Sequence, residues 1–373
     1  MQEEKTRLKE LAGLFTKLGL TAFGGPAAHI AMMQKEVVDK RQWMDHQHFL
    51  DLIGATNLIP GPNSTEMAIH IGHERGGRKG LLVAGCCFIL PAVLITGVMA
   101  WLYQRYGQLP QVRPFIYGIK PAIIAIILAA VFPLAKKALR TVELGVIGVL
   151  ALATSLAGLN EIAVMFGAGL LVLLWYGLRR PGNTLKSYWP VLLLDIPLFS
   201  AANVRIFLVF LKIGAILYGS GYVLFAFLDS ELVAKGLLSR TQLVDAIAVG
   251  QFTPGPVFSS VTFIGWQMNG LPGAVMATVA VFLPSFVFVA LLNPLVPRMR
   301  RSKLFSAFLD GVNAASVAII VTVCIAFTRE SVTDWRTILI EVLSLVVTFG
   351  FRKVNTVFVV LGSALMGYLL LLV

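Results

Sequence analysis

The sequence predicts an all-α polytopic membrane protein. Of its 373 residues, 57% are hydrophobic and only 13% are charged, and the mean hydropathy is +0.81. Soluble domains carry roughly a quarter charged residues, so a chain this poor in charge must face lipid over most of its surface. Several apolar runs reach the roughly 20 residues that a bilayer-spanning helix needs, as at 81–101, 159–178 and 275–292. They lack the alternation with period two that is typical of membrane barrel strands.

Composition also narrows the class of function. The net charge of +12 comes from basic residues scattered through short loops, which is typical of cytoplasmic loops and argues against a nucleic-acid partner. The three cysteines lie in apolar runs and form neither a disulfide nor a zinc pattern. No phosphate-binding loop is present, so ATP hydrolysis is not expected. We expect a protein that is not an enzyme and has no cofactor.

An internal repeat divides the chain into two related halves. The segment Phe15-Thr-Lys-Leu-Gly19 matches Phe210-Leu-Lys-Ile-Gly214, and a Pro-Gly-Pro motif occurs at 60–62 and again at 254–256. Each motif is followed by a pair of glycines, which are Gly72 and Gly80 in the first half and Gly265 and Gly273 in the second. We therefore expect a first repeat over residues 1–180, a linker over 181–204 and a second repeat over 205–373.

The basic residues predict that the halves have opposite orientations. Six crossings fit the first half, at 10–31, 48–71, 80–104, 114–135, 141–157 and 160–178, and six similar ones follow residue 205. A short extra crossing within the apolar stretch 188–203 would invert the second half and place most lysines and arginines inside, as cytoplasmic loops require. Segment 35–41 then lies outside and segment 235–240 inside. We expect inverted-topology repeats with about 13 crossings of the inner membrane, a cytoplasmic N-terminus and an external C-terminus.

The Pro-Gly-Pro motifs predict broken helices. Proline removes a backbone donor and glycine adds conformational freedom, so Gly61 and Gly255 should interrupt their helices inside the membrane. The helix that restarts after each motif would present free N–H groups, which attract anions. Asn63 and Ser64 are types that cap such a helix, and Ser259 is a hydroxyl near the second break. A plain kink packed against a neighbouring helix is the alternative.

Two further pairs of segments are candidates for anion binding. The small residues Gly24 and Gly25 in the first half, and Gly219 and Ser220 in the second, can expose backbone N–H groups, although close helix packing explains them equally well. Lys17 and Lys212 are equivalent in the repeat and lie within apolar helices, where a lysine costs at least about 2.5 kcal/mol. Brought together by the symmetry of the repeat, the two lysines would suit a dianion. Snorkelling to the headgroups is the alternative.

A lone carboxylate and a few histidines complete the candidates. Glu66 follows the first Pro-Gly-Pro by one helical turn. It could carry a coupled proton, pair with the charge of a lysine, or be a solvated interfacial residue. The spacings His46-x-His48 and His70-x-x-His73 could bind a metal, but such pairs in loops are mostly solvated. We therefore expect no metal site.

These motifs resemble the chromate ion transporter family in its long, two-domain form. The resemblance rests on the Phe-Gly-Gly-Pro segment, on Lys40-Arg-Gln-Trp-Met44 and on Asn57-Leu-Ile-Pro-Gly-Pro-Asn63, and it covers nearly the whole chain. It implies a secondary transporter that exports chromate, driven by the membrane potential or the proton gradient, and it adds Asn57 to the candidate site. The second half departs from the pattern, with Tyr-Gly-Ser-Gly in place of Phe-Gly-Gly-Pro. Sulfate or another oxyanion, or an anion channel, are the alternatives.

The expected partners are therefore a chromate-like or sulfate-like oxyanion and the lipid bilayer. A homodimer is compatible with the sequence. An uncoupled carrier would export a dianion, because moving two negative charges out of a negative cell interior releases about 4.6 kcal/mol per 100 mV.

Overall fold

The computed structural model describes residues 2–23, 25–107, 109, 111–178, 202–292, 302–351 and 354–372, and this part of the chain is helical without a strand. The first half contains α1 (Gln2–Thr21), α2 (Gly25–Gln34), α3 (His46–Thr56), α4 (Asn63–Tyr106), α5 (Arg113–Ala138), α6 (Val142–Leu156) and α7 (Glu161–Leu178). The second half repeats the order with α8 (Ala202–Ile216), α9 (Val223–Leu228), α10 (Arg240–Phe252), α11 (Ser260–Leu292), α12 (Lys303–Ser331), α13 (Trp335–Gly350) and α14 (Thr356–Leu372). A π-helical segment follows α2 at Lys35–Lys40 and α9 at Asp229–Val233. The expected extra crossing at 188–203 falls almost entirely outside the described residues.

The repeated glycine pairs mark helical hairpins. Within α4 the backbone leaves the helical region at Gly76 and Gly77, where φ is −142° and +58°. A Cβ on Gly72 or on Gly80 would collide with the backbone carbonyl of the other, although eight residues of straight helix would separate them by about 12 Å. The chain therefore turns back on itself, giving α4 a short first arm and a long second arm. The second half has the same turn at Gly270, where φ is +59°.

The segments that precede this turn run back and forth beside it. The start of α1 lies at the α4 turn, where Lys79 Nζ is 3.0 Å from Glu4 Oε1, and its end lies near Phe88 of the second arm. The start of α3 also lies at the turn, with His48 Nε2 3.4 Å from Glu74 Oε2. Segments 10–31 and 48–71, which the sequence predicts as single crossings, therefore each reverse direction.

This reversal changes the expected position of the first basic loop. Trp43 follows the π-helical segment, and the Arg75 guanidinium lies 4.8 Å from the centre of its ring. Segment 35–41 thus returns to the end of the molecule that holds Arg75, and the prediction that the two lie on opposite sides is wrong. Hydropathy alone does not distinguish a crossing from a return, because both bury the same apolar side chains.

Five helical segments are long and apolar enough to cross a membrane, counted over the described residues: Asn63–Tyr106, Arg113–Ala138, Glu161–Leu178, Val257–Leu291 and Lys303–Ser331. They carry large apolar side chains on their outer surfaces, such as Leu94, Leu174 and Leu291, which are 58 to 65% exposed. Exposing these apolar side chains to water would be costly, whereas the chains of lipid molecules are equally apolar. The chain is a multi-pass membrane protein.

The two halves exchange helices. In the first half α5 packs against α13 and α14 of the second, and Gly118 and Gly367 allow their backbones to touch. The reciprocal contact joins α12 to α6 and α7, where Gly311 meets Gly169. Small residues at these crossings let membrane helices approach closely, and close approach is the main source of attraction between helices in lipid. Neither half is a separate body, and the Pro-Gly-Pro segments lie between them.

Candidate functional site

The two Pro-Gly-Pro segments are unwound and buried, as the sequence predicts. Gly61 has φ +140° and Gly255 has φ +92°, values that favour glycine. The Gly61 N–H donates to the Leu217 carbonyl at 2.8 Å, and the Gly255 N–H donates to the Ala22 carbonyl at 2.8 Å. Ala22 and Leu217 follow the first helix of each repeat. Each break is therefore held by the end of a helix in the opposite half.

The short first arm of α4 begins directly after the first break. Pro62 is the N-cap residue and makes no side-chain cap, so Asn63 and Ser64 do not cap this helix as their types suggest. The Asn63 side chain instead donates to Asn57 Oδ1 at 3.0 Å, which joins the two ends of the unwound loop. No helical turn precedes Asn63 and Ser64, so their first-turn amides have no carbonyl partner within the helix. The break presents donors, as expected of an anion site.

Glu66 lies directly behind the first break. Its side chain is fully buried, and no cationic side chain pairs with it among the described residues. A Cβ on Gly61 would overlap Glu66 Oε1 and would lie 2.6 Å from Ser285 Oγ of α11. The carboxyl group therefore faces the hydroxyl of the opposite half across Gly61. Burying a negative charge without a positive partner costs several kcal/mol, which marks Glu66 as a candidate for a functional residue.

The second break has hydroxyl groups where the first has a carboxylate. Ser260 occupies the repeat position of Glu66, is fully buried, and its Oγ has no partner among the described residues. Ser259 is also buried, and its Oγ accepts from Thr96 Oγ1 of α4 at 3.4 Å. The predicted residue Ser259 is thus at the break, beside α4 of the other half. The two breaks share a backbone geometry but differ in charge.

The small-residue segments lie at the same level as the breaks. Gly24 is outside the described residues. Gly25 has φ +80°, and a Cβ there would be 2.8 Å from Tyr222 Oη of the second half. Gly219 has φ +95° and faces Ser316 of α12, while Ser220 Oγ accepts from the Tyr222 N–H at 3.4 Å. Gly25 thus lets the two halves approach each other closely, whereas Gly219 allows a close approach within the second half.

Lys17 and Lys212 each form an ion pair within their own half. Lys17 Nζ lies 3.5 Å from Glu36 Oε1, and Lys212 Nζ lies 3.1 Å from Glu231 Oε1. A second lysine pairs with each glutamate, Lys40 at 2.8 Å and Lys235 at 2.7 Å. Each cluster carries one more positive than negative side chain, and Arg41 adds another positive charge in the first half. The two glutamate partners, Glu36 and Glu231, are not among the residues that the sequence motifs predict for the site.

The two glutamates could have been found from the sequence. Glu36 lies 19 residues after Lys17, Glu231 lies 19 residues after Lys212, and each is followed four residues later by a lysine. This spacing continues the repeat beyond the segment that carries Lys17. The signal is weak by itself, because a Glu and a Lys four residues apart are common on exposed helices.

Metal ligands are not grouped in the described part of the chain, which contains no cluster of three His, Cys, Asp or Glu side chains. Of the histidines in the predicted pairs, His70 is buried and His48 pairs with Glu74.

The fold and the breaks define a multi-pass membrane protein of two repeats whose interrupted helices meet inside it. The family model described as "Chromate transporter" matches the chain twice, over residues 9–173 and 204–368. The chain belongs to the chromate transporter family, in its long form with two copies of the domain.

Relatives of similar length match over almost the whole chain. It is 32% identical to the chromate transport protein of Cupriavidus metallidurans, over 96% of this chain and 92% of the relative. It is 31% identical to a probable chromate transport protein of Synechococcus elongatus, over 93% and 91%. An uncharacterized transporter of Methanocaldococcus jannaschii is 27% identical over 96% of this chain and 93% of the relative. No solved structure matches the chain.

Proposed function

We propose that this chain is a secondary carrier that exports chromate across the cytoplasmic membrane, driven by the membrane potential or the proton gradient. The observation that carries the proposal is the pair of unwound Pro-Gly-Pro segments, each bonded to the end of a helix in the opposite half. Interrupted helices from two repeats form the substrate sites of many secondary transporters. The relatives named for chromate transport support chromate as the ion.

Helix directions support inverted repeats. In the second arm of α4, Thr96 contacts Ser259 and Gln104 contacts Trp266, so this arm runs along the first arm of α11 and opposite to the second arm of α11. Three basic residues, Arg75, Arg78 and Lys79, surround the α4 turn, whereas the sequence has no lysine or arginine from residue 241 to 297, around the α11 turn. By the enrichment of basic residues in cytoplasmic loops, the α4 turn is cytoplasmic and the α11 turn is external.

The ends of the linker support the extra crossing within 181–204. From the cytoplasmic end of α5, where Arg140 pairs with Asp310 at 2.6 Å, α6 leads out and α7 leads back to Leu178. Asn203 begins the second half at the external α11 turn, because Asn269 Nδ2 lies 2.5 Å from its Oδ1. The chain thus has to change sides between Leu178 and Asn203. The same assignment leaves α1 starting inside and α14 ending outside.

The substrate site in this proposal is the region between the two breaks. The first-turn amides after Pro62 and the hydroxyl groups of Ser64, Ser259 and Ser260 offer donors to the oxygens of a tetrahedral dianion. Glu66 takes up the coupled proton, because its buried carboxyl group has no other compensation. The clusters around Lys17 and Lys212 attract the anion toward each half with their excess positive charge.

The decisive experiment is transport by the purified protein in liposomes. Vesicles are loaded with chromate, a potential is imposed with potassium and valinomycin, and chromate movement is followed by its absorbance with sulfate as competitor. We expect saturable chromate movement that accelerates when the chromate-filled side is negative, and counter-flow driven by chromate on the other side. Faster movement of sulfate would reassign the substrate, and saturable movement without counter-flow would favour a channel. No movement of either ion above that in empty liposomes would overturn the proposal.

A further inference from the structure

A buried ion pair joins the two halves away from the Pro-Gly-Pro breaks. Asp245 of α10 has a side chain that is only 4% exposed, and Lys120 Nζ of α5 lies 3.1 Å from its Oδ1. The other carboxylate oxygen accepts from Tyr103 Oη of α4 at 2.5 Å. Lys120 and Tyr103 belong to the first half and Asp245 to the second. The three side chains therefore connect helices that come from both repeats.

The lysine of this pair is not repeated in the second half. The segment Phe115-Ile-Tyr-Gly-Ile-Lys-Pro121 aligns in the repeat with Phe308-Leu-Asp-Gly-Val-Asn-Ala314, so the position of Lys120 is occupied by Asn313 in α12. Both α5 and α12 pack into the same exchanged arrangement. Taking two charges out of water is costly, and replacing a buried pair by uncharged side chains is often neutral or stabilising. Asp245 itself is matched by Asp51 in the first half, so the two places differ in the lysine, and this difference points to a function for Lys120.

A cavity of about 310 Å³ adjoins the pair. Asp245 and Tyr103 line it together with apolar residues of α4, α5 and α10, such as Met99, Ile119 and Val249. The volume exceeds that of several water molecules, each of which occupies about 30 Å³ in the liquid, and the carboxylate and the phenol offer polar partners. The cavity lies at the end of the second arm of α4, which is the external end in the proposed topology.

We propose that Asp245 is a second proton-binding site, on the external side, and that the proton it takes up frees Lys120 to pair with the departing oxyanion. This inference rests on the proposed transport function. A proton from external water converts the Asp245 carboxylate into a neutral carboxyl group, while Tyr103 and Lys120 keep their own protons. Lys120 then lacks its counter-charge, and an oxyanion that reaches it takes the place of Asp245. When the anion leaves, Asp245 loses the proton and the ion pair forms again.

The groups that face Asp245 are few. Over all the helices packed against α10, Lys120 and Tyr103 are the ionisable side chains that interact with it within the described residues. Lys120 favours the charged carboxylate through its positive charge, and Tyr103 favours it by donating a hydrogen bond. Burial opposes both. Because these influences oppose each other, the binding of one proton to Asp245 determines whether the ion pair with Lys120 forms.

The test measures chromate movement against external pH, with internal pH held constant, in a Glu66→Gln background that removes the other proposed proton site. We expect the remaining dependence on external pH to be lost in Asp245→Asn. We expect Lys120→Asn, which installs the residue of the second half, to weaken the apparent chromate affinity on the external side by tenfold or more. Asp229→Asn is the matched control, because it breaks an ion pair with Arg240 near the start of α10 and should keep the parent's pH profile.

A second measurement does not depend on transport. Infrared spectra of the purified Glu66→Gln protein over a pH series should show a pH-dependent carbonyl band of a protonated carboxyl group. The band should be missing when Asp245→Asn is added and present when Asp229→Asn is added. If the wild type moves no chromate, the proposed function fails, while this band still tests the proton site. If the wild type moves chromate but Asp245→Asn keeps both the pH profile and the band, the inference is overturned. Should Asp245→Asn fail to fold, an unchanged external affinity in Lys120→Asn overturns it.

Discussion

Glu66 is the residue at which the two halves differ most in chemistry. Its carboxyl group is fully buried at a break in α4, whereas the equivalent position in α11 is Ser260. The first break therefore holds an ionisable group where the second holds a hydroxyl group. An uncharged counterpart keeps the cost of burial at the second break low.

We expect Glu66→Gln to flatten the dependence of chromate transport on the pH gradient, because glutamine keeps the shape of the side chain but exchanges no proton. Transport driven by the membrane potential alone should persist. The measurement is the initial chromate flux in liposomes at several pH gradients and a constant potential. Glu341→Gln, on α13 and away from the breaks, is the control. A wild-type pH profile in Glu66→Gln would indicate that Glu66 carries no coupled proton and has only a structural role.

We expect Lys17→Met and Lys212→Met each to weaken chromate affinity by tenfold or more, which corresponds to about 1.4 kcal/mol. Methionine retains much of the stem and removes the charge that attracts a dianion, and arginine should rescue part of the loss. Binding to the purified variants is the measurement. Lys40→Met and Lys235→Met are matched controls, because they remove the other lysine of each glutamate. Equal losses in all four variants would indicate that only the net charge of each cluster matters, and wild-type affinity in both Lys17→Met and Lys212→Met would contradict a direct role.

At the scale of elements, the unwound segments depend on a conformation that few residues adopt. Gly61 and Gly255 have positive φ, and both are in close contact with the opposite half. Their N–H groups make the reciprocal hydrogen bonds to Leu217 and Ala22. A side chain at either position would therefore disturb the break and the junction between halves together.

We expect Gly61→Leu and Gly255→Leu to abolish chromate transport while the protein still inserts into the membrane. Leucine would collide with Glu66 at the first position and with Ala92 at the second, and positive φ would strain it at both. Gly167→Leu is the control, because a Cβ on this glycine of α7 has no atom within 4 Å to meet. Flux and membrane yield are measured for all three. Normal chromate flux in both Gly61→Leu and Gly255→Leu would contradict the proposal that the two breaks form the substrate site.

At the scale of the whole molecule, the hairpin turns of α4 and α11 define the two faces. The α4 turn is surrounded by basic residues and receives the start of α1, whereas the α11 turn receives the start of α8. The end of α12 near Glu330 contacts Thr241, whereas Asp310 near its start pairs with Arg140. The proposed topology places the Arg140 pair inside, and it therefore places segment 235–240 outside, although the basic residues predict that segment inside.

We expect a cysteine at Arg78 to react with an impermeant thiol reagent only from the cytoplasm, and one at Asn269 or added after Val373 only from outside. The experiment uses a chain in which Cys86, Cys87 and Cys324 are replaced by alanine. Labelling is compared in intact cells and in inverted vesicles. Reaction of Arg78→Cys and Asn269→Cys from the same face would rule out the inverted repeats and, with them, the crossing in the linker.

The sequence by itself determined the helical membrane class, the duplication and the sites where helices break. These are local properties. The small share of charged residues indicates that the chain faces lipid, and proline with glycine interrupts a helix whatever surrounds it. Only the tertiary structure decided which segments cross and which return, since a run of about 20 apolar residues with a break can do either. It also decided that the breaks bond to opposite halves, and that Lys17 meets Glu36 and Lys120 meets Asp245. Those contacts depend on how helices distant in sequence pack together, and hydropathy carries no information about such partners.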